Sequence, residues 1–236
     1  MIPSLDLKKT INRKSFIKML KVYDTPSSNK LWDYVFAEVL YKTETNGTEI
    51  IEVHLCRLNS NPDRETVFRG YASSVFPNKQ ISLVSLTNDS LIIYDTTYRG
   101  RKLGSWAMNE IVKWAKNWPE AEVNLIKLSN VDANNKIRRN KFYENFGIIF
   151  EYSDSRKESG RSLPMKCIDL KNHESWEKKN GGHIEELPLD FFIKDIIKSN
   201  ELINERNRII EKENSELKLS YLKKTIRFLK NKLTSG

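Results

Sequence analysis

Two glycines and three cationic side chains fall within Arg99-Gly100-Arg101-Lys102-Leu103-Gly104-Ser105. A strand-like run over 90–95 precedes them, and apolar residues at helical spacing follow. A strand that turns through glycine into a helix exposes unpaired N–H groups and a partial positive charge, which suits a diphosphate held by main-chain donors. Glycine permits close approach, while Arg99, Arg101 and Lys102 add charge around the same point. The same residues also describe an ordinary strand-to-helix turn. One strand and one helix later comes Phe142-Tyr143-Glu-Asn-Phe-Gly147. The Tyr143 phenol could donate a proton to a leaving group within hydrogen-bond reach, or could be a core residue of an amphipathic helix. No Ser-His-Asp or Cys-His arrangement is recognisable, and Cys56 and Cys167 lack the spacing of a disulfide framework or a structural zinc site.

These residues need elements to position them. Lys8, Lys9, Arg13, Lys14 and Lys18, interleaved with Ile11, Phe16 and Ile17, predict an amphipathic helix over 7–20. The runs 34–42 and 49–58, joined through Asn46-Gly47, predict an antiparallel hairpin. Further strands are expected at 80–86 and 90–95. Trp106, Ala107, Ile111, Trp114 and Ala115 then share one face of a helix over 103–118 that Pro119 stops. A buried strand over 123–128, a helix over 134–146 closed by Gly147, and strands at 148–152 and 165–170 complete an α/β order with mixed pairing.

Taken together, the turn and the Phe142-Tyr143 pattern resemble the GNAT superfamily of acyl-CoA N-acyltransferases. In that family a strand enters a Q/R-x-x-G-x-G/A turn, and a later helix ends in (L/F)-Y-x-x-x-G-F. Here Arg99 and Gly104 keep the ends of the first pattern, and Lys102 stands where the middle glycine is usual. Phe142, Tyr143 and Gly147 keep the second, with Ile148 for its final Phe. The resemblance covers roughly residues 30 to 170 and is sharpest over 90 to 150. It implies a mixed, mostly antiparallel central sheet flanked by helices, with acetyl-CoA lying between the strands at 90–95 and 123–128. It also implies that Ile92, Ile93 and Tyr94 bond the pantetheine through their main chain. The diphosphate would meet Arg99, Gly100, Arg101, Lys102, Leu103, Gly104 and Ser105, and Tyr143 would act as general acid. The family's usual Asn-x-x-Ala falls on Lys136 and Arg139, and Asn135, just before, is taken as the cofactor-side asparagine. Asp95, Glu52 and His54 lie on predicted strands near the cleft, but none is assigned as the base, and no metal is implied.

The 236 residues divide into an acyl-CoA-binding domain over 1–177, a linker over 178–186 and a basic helical extension over 187–236. Ile196, Ile203, Ile210 and Leu217 recur every seven residues, with Asn200, Asn207 and Asn214 at the partner heptad position before Tyr221 and Phe228. A homodimer through 190–233 follows from that seam, although Leu219, Leu222, Ile226, Leu229 and Leu233 begin an offset register and the helix could fold back on its own domain.

Forty basic against 31 acidic side chains give a net charge of +9, which favours anionic partners without choosing one. Two functions therefore stand side by side. One is an N-acetyltransferase acting on an amine of a protein, an aminoacyl-tRNA or a small molecule. The other is a nucleic-acid-associated module with a GNAT-like core, delivered by Lys218, Lys223, Lys224, Arg227, Lys230 and Lys232. Those cations equally suit the solvated end of a coiled coil. Two isolated cysteines and no long apolar run lead to the expectation of a cytoplasmic protein without a membrane span.

Overall fold

The computed structural model describes residues 10–57, 66–74, 80–87 and 98–234. Its central layer is a seven-stranded sheet in the order β10-β1-β2-β3-β4-β5-β6. The strands are β1 (Thr10–Tyr23), β2 (Leu31–Glu44), β3 (Glu49–Arg57), β4 (Thr66–Ser73), β5 (Leu83–Ser85), β6 (Glu122–Val123) and β10 (Ile184–Leu187). All neighbours are antiparallel except β5 and β6. The expected hairpin is β2–β3. Its turn differs from the type I′ form that the dipeptide predicts: Gly47 alone is left-handed, with a φ of +81°, its N–H donates to the Glu44 carbonyl at 2.9 Å, and the Asn46 carboxamide accepts the Thr48 N–H at 2.9 Å.

Two expectations are corrected. From Thr10 onward, the segment read as a helix over 7–20 is the strand β1, because Leu20 and Val22 alternate into the core while β2 and β10 pair with its backbone on either side. The expected linker 178–186 contains a 3-10 turn at Lys178–Asn180, and β10, which begins inside it, closes the sheet against β1 through Met19↔Leu187 to Val22↔Ile184. The compact units accordingly meet at 187/188.

On one face of the sheet lies α1 (Leu103–Ala115). Gly70 explains how it approaches: a Cβ there would stand 3.0 Å from Ile51 Cγ2 and from Trp114 Cζ3, and 3.1 Å from Ile111 Cγ2. Sequence periodicity gives α1 one apolar face. In the structure it is buried nearly all round, down to Asn109 and Glu110. Glu110 is accommodated by Lys18 and Lys113, each at 2.9 Å. Burial pushes its carboxyl up, yet the hydrogen bonds from Lys113 and Lys18 outweigh this and hold it below the usual carboxylate range.

The strand expected over 123–128 is divided between two sheets. β6 pairs with β5, whereas β7 (Lys127–Leu128) joins β9 (Gly160–Ser162) and β8 (Phe150–Tyr152) in the order β7-β9-β8. The helix α2 (Lys136–Glu144) precedes β8 and ends before Gly147, whose φ of +85° reverses the chain as the sequence predicts. The strand expected over 165–170 is instead a 3-10 turn, Cys167–Asp169, whose Asp169 carboxylate accepts the Lys166 N–H at 3.1 Å. The second unit is carried by α3 (Leu189–Thr234), a helix of 46 residues.

Candidate functional site

The turn into α1 is held in a specific backbone shape. Gly100 has a φ of +84°, and Lys102, at the N-cap position, has φ 62° and ψ 10°. Left-handed geometry costs a non-glycine residue about 1–2 kcal/mol, so Lys102 bears strain that glycine would avoid. No side chain caps the helix, and its first ladder bond runs from the Trp106 N–H to the Lys102 carbonyl at 3.0 Å. The amides of Leu103, Gly104 and Ser105 therefore precede the ladder as unused donors. Arg99 and Lys102 are exposed, and among the described residues neither side chain has an ion-pair or side-chain hydrogen-bond partner. Leu103 and Ser105 are buried and Gly104 is half-buried.

Arg101 has a different role from its neighbours. Its guanidinium carbon lies 4.1 Å from the Trp32 ring centroid, and Nη2 approaches Asp24 at 3.6 Å. Arg57, bound to Asp33 at 2.7 Å, lies over the same ring at 4.6 Å. Tyr98, only 2% exposed, meets the Trp32 edge at 6.1 Å and accepts the Arg101 N–H on its carbonyl at 3.4 Å. The turn is thus pinned to β2 through a cation–π stack. Sequence reasoning missed Trp32, Arg57 and Asp24, which lie over 40 residues from the turn and gave no local signal.

The parallel pair β5–β6 lasts two residues: Leu83↔Glu122 and Val84↔Val123. The Asn124 N–H reaches Val84 O at 2.7 Å, after which Ile126 exchanges bonds with Ser162 in the other sheet. Two strands that begin parallel therefore separate after Asn124. Ile92, Ile93 and Tyr94 lie outside the described residues, as does Asp95.

Tyr143 sits on α2, buried in an aromatic cluster with Phe142 at 5.2 Å and Phe150 at 5.6 Å between centroids. Asn135 is exposed at the N-cap of α2 and makes no side-chain cap bond. Arg139, at the family's alanine position, bonds the carbonyls of Ser129 and Glu158 at 2.6 and 2.8 Å and so fixes the helix in place. His173 ties α2 to α1: its ring packs on Phe146 at 5.8 Å, and its N–H donates to the Asn109 carboxamide at 3.0 Å. Burial, and then the charges of Lys102 and Lys141, push the His173 imidazole below its ordinary value. The turn and α2 thus share one electropositive neighbourhood, which the sequence did not reveal because His173 belongs to neither motif.

Glu52 and His54 belong to another cluster. The Glu52 carboxylate receives Lys42 at 2.5 Å, Arg69 at 2.9 Å and His54 Nε2 at 3.2 Å. Burial pushes its carboxyl up, but hydrogen bonds from His54 and Lys42 and the charges of Lys42 and Arg69 bring it down to about 2. At the far end of α1 from the turn, a groove of about 500 Å³ is lined by Phe16, Tyr41, Trp114 and Trp118, with Lys14 and Glu110 among its charged residues. No group of three or more His, Cys, Asp or Glu arranged to hold a metal occurs among the described residues. Nor is any helix among them long and apolar enough to cross a membrane.

Comparison of the chain with protein-family models, with curated proteins and with solved structures returns no match.

Proposed function

We propose that this protein is an acyl-CoA-dependent N-acyltransferase of the GNAT type. The observation that carries the reading is the turn into α1. It has left-handed backbone at Gly100 and Lys102, uncapped amides at Leu103, Gly104 and Ser105, and exposed cations at Arg99 and Lys102. Lys102, which stands where the family pattern has its middle glycine, takes the left-handed backbone that glycine adopts without strain. Further support comes from the parallel strands β5 and β6, which separate after Asn124.

Acetyl-CoA supplies an acetyl group already activated as a thioester. The chain's part is to bind, orient and supply a proton. The first-turn amides hold the diphosphate, and the exposed cations offset its charge. Tyr143 would supply the proton to the departing thiolate as the acceptor's nitrogen forms the new bond to the acetyl carbon and the carbon–sulfur bond breaks, with the nitrogen's surplus proton passing to water, and no covalent enzyme intermediate would be required.

The test is the melting temperature of the full chain with acetyl-CoA, which rises with ligand concentration when only the native state binds. Gly104→Val, which sets a β-branched side chain among the first-turn amides, should abolish the rise and leave the unliganded melt nearly unchanged. An unaltered melting temperature of the native chain at millimolar acetyl-CoA would overturn the reading.

A further inference from the structure

The helix α3 carries a pattern that the acyl-transfer reading does not use. Every described side chain from Ile197 to Leu219 is exposed, including Ile203 at 56%, Ile210 at 45% and Leu217 at 56%. A helix of this length in water does not keep such a stripe uncovered without a partner, since removing apolar side chains from water is the main favourable contribution to association. With Ile193, Asn200, Asn207, Asn214 and Tyr221 at heptad position a, position d holds Ile196, Ile203, Ile210 and Leu217. The residue before each a position is g, and the residue after each d is e. Arg206 and Glu213 are at g, and Glu211 and Lys218 are at e.

Orientation follows from the asparagines. In a parallel pair, a faces a and d faces d, so each Asn carboxamide meets its twin and both can hydrogen-bond. In an antiparallel pair, a faces d, and three carboxamides would be buried against isoleucine or leucine without partners. The flanking charges agree. A parallel, in-register pair brings each g residue to the e residue five positions on in the other strand, giving Arg206 to Glu211 and Glu213 to Lys218, both of opposite sign. Among the described residues none of these four has an ion-pair partner within its own chain.

We infer that α3 pairs with α3 of a second copy of this chain as a parallel, in-register, two-stranded coiled coil over 193–221. The inference is independent of the acyl-CoA reading.

Sedimentation equilibrium of the full chain at tens of micromolar should give twice the chain mass. Arg206→Glu, which sets like charges at both symmetry-related pairs, should weaken the dimer about tenfold at low salt. The double variant Arg206→Glu/Glu211→Arg should restore it to within about threefold, since only the parallel register pairs these positions. The thermal melt and the far-ultraviolet circular dichroism of each variant serve as the control for folding. A monomer at tens of micromolar, a trimer or tetramer, or a double variant as weak as the single one would each overturn the inference.

Discussion

The charged cluster around Glu52 and the turn at 98–105 are both rich in cations, and they treat them oppositely. At Glu52 the sheet register sets a lysine, an arginine and a histidine from three strands around one buried carboxylate, which serves each of them as partner within the fold. At the turn, Arg101 is committed to Trp32 and Asp24, whereas among the described residues no acidic side chain pairs with Arg99 or Lys102, and no side chain caps the first-turn amides. A cluster whose cations are all partnered contributes to stability and is chemically closed. A cluster left electropositive awaits charge from outside, and this separates a structural reading of Glu52 and His54 from a functional reading of the turn.

Three substitutions test that contrast. The largest effect concerns the reach of the functional side into α2. Tyr143→Phe should slow turnover by roughly 10- to 10⁴-fold while the acetyl-CoA-induced rise in melting temperature is kept. Steady-state rates and thermal melts on the same samples check this, and unchanged turnover would return Tyr143 to the aromatic core alone.

Next is Glu52→Gln, which leaves Lys42 buried, and Arg69 partly exposed, beside a neutral amide. Glu52 has a folded value of about 2 against an ordinary 4.5, so its contribution is complete above about 4.5 and is lost as the pH falls through about 2. That difference corresponds to about 3 kcal/mol. The variant should be less stable by about this amount at neutral pH, with the gap closing between those two values, and should bind acetyl-CoA like the native chain. Urea unfolding across that pH range measures it. A gap independent of pH would remove the carboxylate's charge from the explanation.

The smallest effect is at Lys102. Lys102→Gly relieves left-handed strain and should raise stability by about 1 kcal/mol, somewhat less where glycine's unfolded-state entropy offsets it. Acetyl-CoA affinity should fall by no more than the loss of one exposed cation, because the amide at that position is retained. Calorimetric titration of the two proteins reports the comparison directly.

Short-range signals in the sequence were read correctly where the physics is short-range. Gly47 shapes the hairpin turn because few other residues tolerate its left-handed dihedral, and Gly147 ends a helical segment for the same reason. The glycine-bearing turn into α1 was legible from Gly100 and from the apolar spacing that follows it. By contrast, the residues over 7–20 satisfy a helical period, yet β1 forms there because β2 and β10 supply backbone partners from distant parts of the chain. The same reason turns the tail of an expected linker into β10.

What the sequence by itself determined is thus the set of local conformations and the residue types at the turn and along α3. Only the tertiary structure decided which cations are spent inside the fold and which remain available. Trp32 takes Arg101, Glu52 takes Lys42 and Arg69, and Asn109 takes the His173 amide, through contacts between residues 10 to 69 positions apart. Electrostatic pairing depends on distance in space, and distance along the chain carries no such information until the sheet register has been fixed.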